Sequence, residues 1–272
     1  FLQSPGRYVD DTDRPQDGEA VFWGEWEAPS RVERRWPANG LLPRALHRPY
    51  WIRPPMDGFR QNTDPWVFGQ QMIYSNCKQL VGPDRSPTSM QHLPVGSVIC
   101  FGSTIDHEFS LDTVIVVASA EPWVPADIAD IADIADIADI AVDDVDDAFV
   151  VCTAESIVAG ATDAHAQLTL YRGATIDDPV HGMYSFVPAR PADGDGPRFA
   201  RPVIRLDGLI NPANRQSTWG SKRPLPLGTI RDAWEAVRHQ VHAAGLVLAV
   251  QLGVPNQVGA KALLPPTARG RC

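Results

Sequence analysis

Three short stretches of this sequence carry side chains that could act together on a ligand. The first is VFWGEWE, Val21 to Glu27. As a strand it sets Val21, Trp23, Glu25 and Glu27 on one face, with Phe22, Gly24 and Trp26 on the other. An indole beside two carboxylates offers a ring to stack on a planar ligand and a general base for its N–H groups. The alternative is a partly exposed strand whose glutamates pair with nearby arginines. The second stretch is the polar string Tyr74-Ser75-Asn76-Cys77-Lys78-Gln79. An ammonium next to a thiol favours the thiolate, which makes Cys77 beside Lys78 a candidate nucleophile. No spacing assigns it a histidine base, and the alternative is a strand end whose side chains bond the backbone. The third is NPANRQSTWGSKRPL, Asn211 to Leu225, where Arg215, Gln216, Ser217, Thr218, Lys222 and Arg223 surround Trp219-Gly220. Such a donor-rich loop suits an anion. It lacks the P-loop pattern, so nucleoside triphosphate hydrolysis is not indicated. An ordinary surface loop is the competing reading.

Between the first two stretches lies a Pro-rich passage, residues 28–66, that reads as a long irregular loop. From Arg31 to Asp64 it holds Arg31, Arg34, Arg35, Arg44, Arg48, Arg53 and Arg60 against Glu33, Asp57 and Asp64. Trp36, Tyr50, Trp51 and Phe59 are interleaved with them. Arginine beside aromatics combines phosphate contact with base stacking, which makes this loop the expected route to a nucleic-acid or nucleotide partner. The same composition also serves a long loop anchored on its own core. The net charge of −9 argues against such a partner at first sight. However, residues 126–147 alone hold nine aspartates and no lysine or arginine, and the remainder balances to zero. Five Ala-Asp-Ile triplets open that segment. A triplet advances about 300° on a helix, so no fixed apolar face results, and the segment reads as a low-complexity insertion.

The elements that must position these residues are clearest at Val95 to Ser119. Two strands, 97–102 and 111–118, are apolar on both faces, as in a sheet covered on both sides. Thr104 to Glu108 between them reads as a solvated hairpin tip. Asp112 inside the second strand sits either at the strand entrance or in an internal hydrogen bond, and joins the site candidates. Further strands are expected at 66–74, 168–172, 182–187, 202–206 and 246–252. Helices are expected at 143–159 and from a Thr229 cap to Gly245, the latter with Ile230, Trp234, Val237 and Val241 on one face. The order of elements implies an α+β fold, a mixed and mostly antiparallel sheet or small barrel with few helices and long irregular loops. Residues 1–19 read as a flexible N-terminal segment and 20–254 as one domain with the insertion at 126–147. Residues 255–272 read as a disordered tail.

The cysteines, Cys77, Cys100, Cys152 and Cys272, match no zinc spacing, and Cys100 and Cys152 read as buried thiols. A reducing, cytoplasmic setting is the simplest expectation, with no membrane partner, since no apolar run approaches the ~20 residues a spanning helix needs. No metal or cofactor motif is present, and nothing sets an oligomeric state.

One arrangement resembles a known family. NCKQ at 76–79, a gap containing Arg85, then LPVGSVICFGS and a run to VIVVA resembles PUA-like domains, nearest to those called nucleotide-modification-associated. Here Gln79 stands where that family has proline, and Ser97 where it has aspartate. The resemblance covers residues 64–119. It implies a small barrel that binds nucleic acid or a modified nucleobase, with Asn76, Cys77, Lys78, Gly96 and Ser103 at matching positions. The leading expectation is therefore a nucleic-acid or modified-nucleotide recognition protein of a base-modification system. The alternatives are an enzyme on a small nucleotide-like anion, with Glu25 or Glu27 as base and Lys78 or Arg215 holding the anion, or an interaction domain without catalysis.

Overall fold

A computed structural model describes residues 1–24, 26–37, 42–53, 63–127, 145–160, 163–192, 198–206 and 225–258. The fold is the expected sheet-dominated α+β class. In chain order its strands are β1 Leu2–Val9, β2 Pro15–Phe22, β3 Ser30–Arg35, β4 Ala45–Trp51, β5 Ile73–Tyr74, β6 Leu80–Val81 and β7 Ser86–Pro87. They continue with β8 Val98–Ile105, β9 Glu108–Trp123, β10 Leu168–Gly173, β11 Val187–Pro191, β12 Val247–Leu252 and β13 Asn256–Gln257. Helix α1 runs from Asp147–Phe149 through a π turn, Val150–Ala154, into Glu155–Ala159, and α2 is Leu227–Ala243.

β9 organises the core. Its alternate residues feed two different apolar clusters, as its two-faced composition requires. Ile115 and Val117 enter one cluster, with Trp66, Phe68, Phe149, Cys152 and Leu168. Val114 and Val116 enter the other, with Phe186, Trp234, Val237, Val241 and Leu248. Helix α1 covers the first cluster and α2 the second, through the apolar face read from its periodicity. The α2 start differs from the expected Thr229 cap. The carbonyl of Pro226 accepts the first helical bond, from the Ile230 N–H at 3.2 Å, so the cap is Pro226 and the helix begins at Leu227. Gly245, at φ 73°, follows its C-terminus.

One sheet runs β5-β10-β9-β8. β6 and β7 pair only with each other, and the largest sheet runs β12-β11-β2-β1-β4-β13, with β3 on β4 and β12 also bonded to β1. That extra pairing closes β1, β2, β11 and β12 into a small antiparallel barrel. Gly6 permits the closure, because a Cβ there would overlap the Gln251 carbonyl oxygen. The barrel is thus built from the chain ends, whereas residues 64–119 contribute to the other sheet.

Several local expectations are corrected. Residues 1–19 are ordered strand for most of their length. Their polar, Pro- and Gly-containing sequence carries no local strand signal, and β1 holds its shape by bonding to β2 on one side and β12 on the other. The Arg31 passage contains a hairpin, β3–β4, rather than a structureless loop. Val21–Glu27 is strand only as far as Phe22. The run 66–74 folds back on itself: Trp66 and Ile73 exchange both backbone hydrogen bonds (2.8 and 2.7 Å) around Gly69, at φ 88°. The 182–187 and 202–206 runs are mainly extended connections, bridging to β9 at Val114 and Ser110. Asn256–Gln257 lies parallel to β4 as β13, so the tail is structured there. Most of the Ala-Asp-Ile insertion, and residues 259–272 with Cys272, fall outside the described residues.

Candidate functional site

Arg201 brings together candidates from two distant parts of the sequence. Its guanidinium lies 4.5 Å from the centre of the Trp23 ring. Its Nη1 donates to Ser103 Oγ at 3.1 Å and to Asp112 Oδ2 at 2.9 Å. Asp112 reaches it because β9 carries one extra residue opposite the Phe101–Gly102 step of β8. A bulge of this kind re-aims a side chain. Gly102 belongs to the same device, since a Cβ there would overlap the Ser110 carbonyl oxygen. Beyond the bulge, Asp106 and His107 form the exposed two-residue tip, both at positive φ (49° and 66°), as a hairpin turn of this length requires.

Aromatic rings and arginines continue outward from Trp23. Phe1 meets Trp23 edge-on at 5.1 Å and Trp36 edge-on at 6.2 Å. Trp36 is flanked by Arg198 at 5.6 Å and Arg34 at 6.0 Å, and Arg190 stands 5.6 Å from Phe199. Each contact holds a guanidinium against a ring face, which favours the cation and fixes its orientation. Trp23 donates its indole N–H to the Phe199 carbonyl at 3.0 Å. With Arg201 over its ring and its N–H engaged, Trp23 is a packing centre, not the open stacking platform its strand context suggested. Trp36, just past the end of β3, is half-buried, as Trp23 is.

The arginines divide into neutralised and available groups. Arg48 pairs with Glu19 at 2.9 Å and Glu33 at 3.3 Å, Arg31 with Glu33 at 2.6 Å, and Arg53 with Glu155 at 2.7 Å. The Arg48 hydrogen bonds hold Glu19 below the usual carboxylate range, and Arg31 does the same for Glu33. Burial, then nearby positive charge including Arg35, pushes His47 down. Arg34, Arg35 and Arg44 are exposed and have no carboxylate partner among the described residues. All three lie on or beside the β3–β4 hairpin. Arg60 lies outside the described residues.

The Ser75–Gln79 string has a different organiser, buried Asp64. Its Oδ1 accepts from the Ser75 N–H at 2.8 Å and Ser75 Oγ at 3.1 Å. Its Oδ2 accepts from the N–H groups of Asn76 at 3.0 Å and Cys77 at 2.6 Å. Burial pushes the Asp64 pKa up, and these four donors oppose the shift. Three successive N–H groups turned to one side do form an anion-binding concavity. The anion is the protein's own carboxylate, so these amides are not left for a ligand. Asn76 donates to Ser75 Oγ at 2.9 Å, and Tyr74 donates its hydroxyl to the Cys77 carbonyl at 2.6 Å. The buried Gln79 amide exchanges two bonds with the Thr169 backbone, at 2.7 and 2.8 Å. Cys77 is half-buried, and Lys78, at φ 66°, is exposed.

Of the remaining candidates only Glu27 lies within the described residues. Glu27 is exposed at the turn after Trp26. Glu25, Arg215, Gln216 and Trp219 lie outside the described residues. Among the described residues, no group of three His, Cys, Asp or Glu side chains could hold a metal ion, and no helix is long and apolar enough to cross a membrane. Sequence reasoning missed Arg201, Arg198 and Asp64. The one signal for Arg201 was Asp112, a carboxylate within an apolar strand that needs a cation. No protein-family model, curated protein or solved structure matches the chain.

Proposed function

We propose that this protein recognises nucleic acid or a modified nucleotide through the surface formed by the β3–β4 hairpin and the tryptophan–arginine cluster beneath it. One observation carries the reading. Arg34, Arg35 and Arg44 project into solvent without carboxylate partners among the described residues, beside Trp36 and its flanking guanidiniums. Free guanidiniums contact phosphate oxygens, and a half-exposed indole between cations gives a base a face or edge to meet. Arg48, Arg31 and Arg53, already paired, serve to hold the hairpin. The PUA-like resemblance of residues 64–119 carries the reading one step further, to a modified base as the preferred ligand.

The test is fluorescence anisotropy with labelled single- and double-stranded DNA and RNA across a salt series. Each phosphate contact on a single strand contributes a slope of about −0.7 in log affinity against log salt. The triple variant Arg34→Ala, Arg35→Ala, Arg44→Ala is expected to flatten the slope by about 2, by the same relation. Absence of salt-dependent binding to all four nucleic acids sinks the proposal, as does a slope the triple variant leaves unchanged. Competition by free modified and unmodified nucleosides then tests the preference for a modified base.

A further inference from the structure

The edge of the second sheet is built to take another strand. β8 bonds to β9 on one side, and the bonds on the far side of β9 show which β8 groups face outward. Val114 exchanges both backbone bonds with Phe186 at 2.9 Å, and the Val116 carbonyl accepts from Ala174 at 2.7 Å. Leu111 donates to the Pro202 carbonyl, and the Phe109 carbonyl accepts from Ile204, each at 2.9 Å. These four β9 residues spend their backbone groups away from β8. Their partners across the ladder, Cys100, Val98, Gly102 and Thr104, therefore turn their own N–H and C=O groups to the open edge. Because the extra residue of the bulge lies on β9, β8 keeps an unbroken alternation across its length.

Protein sheets usually blunt such an edge with charge, proline, a bulge or shortness. The other edges do so. β3 carries Arg31, Glu33, Arg34 and Arg35, while β5 and β13 are two residues each. β8 is eight residues, VICFGSTI, with no charge, no proline and no bulge of its own. Among the described residues, no other strand pairs with it.

We propose that β8 pairs antiparallel with β8 of a second copy of this chain, extending the four-stranded sheet across a two-fold axis at Phe101. In that register Val98 faces Thr104 of the second copy and Cys100 faces its Gly102, each pair exchanging two hydrogen bonds. Charge and hydrogen bonding select a second copy as the occupant. The strands themselves bring no like charges together. The register also carries the exposed Asp106 of one hairpin tip toward Gly96 of the other copy. The His181 ring packs there, 3.4 Å from where a Gly96 Cβ would stand, and offers the carboxylate an N–H donor. The pairing consumes the open edge of both copies, so assembly stops at two.

Sedimentation equilibrium of the full chain is the test. At about 100 μM, well above an ordinary micromolar Kd, a dimer is expected. Thr104→Pro removes an outward N–H that has no partner among the described residues, so the monomer fold is spared while pairing is blocked. It is expected to raise the dimer Kd at least about tenfold, with an unchanged thermal melt at a dilution where both proteins are monomeric. Should Thr104→Pro fail to fold, Thr104→Lys, a natural edge-protecting device, is read in its place. A wild-type monomer at the highest concentration overturns the proposal. So does a dimer that folded variants leave intact.

Discussion

Replacing Asp64 by asparagine isolates what holds the Ser75–Cys77 string. The side chain keeps its shape, but one oxygen acceptor becomes an NH2 donor. Whichever way the amide turns, one pair of donors loses its acceptor: Ser75 N–H and Oγ, or the Asn76 and Cys77 N–H groups. A buried donor left unsatisfied costs about 1–3 kcal/mol, so two cost about 2–6. Against this stands the relief of no longer burying a carboxylate, whose desolvation already pushes the Asp64 pKa up. The expected net loss is about 2–4 kcal/mol, or a fall in Tm on the order of 4–16 °C for a chain of this size. Urea titration and thermal melts of wild type and Asp64→Asn measure the loss. Hydrogen exchange locates it, with the Ser75, Asn76 and Cys77 amides losing protection first. A variant within about 0.5 kcal/mol of wild type, the range of an inconsequential surface change, refutes the reasoning.

Other perturbations separate fold from function. Arg201→Ala removes two charge-assisted bonds and the contact with Trp23, and is expected to cost about 2 kcal/mol in urea titration while leaving the salt slope of nucleic-acid binding unchanged. Glu19 has its pKa held below the ordinary value by Arg48, so its contribution is present above the unfolded value and lost as pH falls through the folded one. Both partners are more than a third exposed, so Glu19→Gln is expected to cost under about 1 kcal/mol at neutral pH, with the difference from wild type vanishing in the acid range of a pH-dependent stability series. Burial pushes the Cys100 and Cys152 thiols up to about 12, and neither is expected to react with a thiol reagent at neutral pH until the protein unfolds, as mass spectrometry of labelled peptides would show.

The parts legible in the sequence are those whose signal is local. The β8–β9 hairpin could be read because its strands are apolar on both faces and its tip is a short polar turn. α2 and β12 followed from a helical stripe ending at Gly245. β1 could not be read, because LQSPGRYV has no regular alternation and only one β-branched residue, Val9, and its strand geometry comes from neighbours on both sides. The Ser75–Gln79 string stood out for a thiol beside an ammonium, with a strand end whose side chains bond the backbone as the alternative. Its acceptor, Asp64, lay outside any motif and was counted only as opposing charge. Trp23 and Ser103 were legible as candidates, but the arginine joining them was not. Arg201 sits alone in a Pro-rich connection, and no spacing rule ties it to a carboxylate far upstream.

That division bears on where function resides. In β9, residues 114–117 are held on both sides by core, so nothing there can move without disturbing two clusters. Toward its start the strand still buries Leu111 in the second cluster, and the bulge turns the half-buried Asp112 out of that run to neutralise Arg201. A guanidinium already balanced by a carboxylate gains little from a phosphate, since the new contact must compete with the old one. Arg48, Arg31 and Arg53 are in the same position. On the proposed reading, binding then comes from cations that the fold leaves unbalanced, and among the described residues Arg34, Arg35 and Arg44 gather on the β3–β4 hairpin beside Trp36. The acidic insertion sharpens the contrast. Nine aspartates in one segment set the net charge of the whole chain, yet the hairpin keeps its own positive sign. At physiological salt the Debye length is about 8 Å, so an approaching phosphate responds to the nearest charges rather than to the total. The net charge of −9 is therefore no argument against an anionic ligand at Arg34, Arg35 and Arg44.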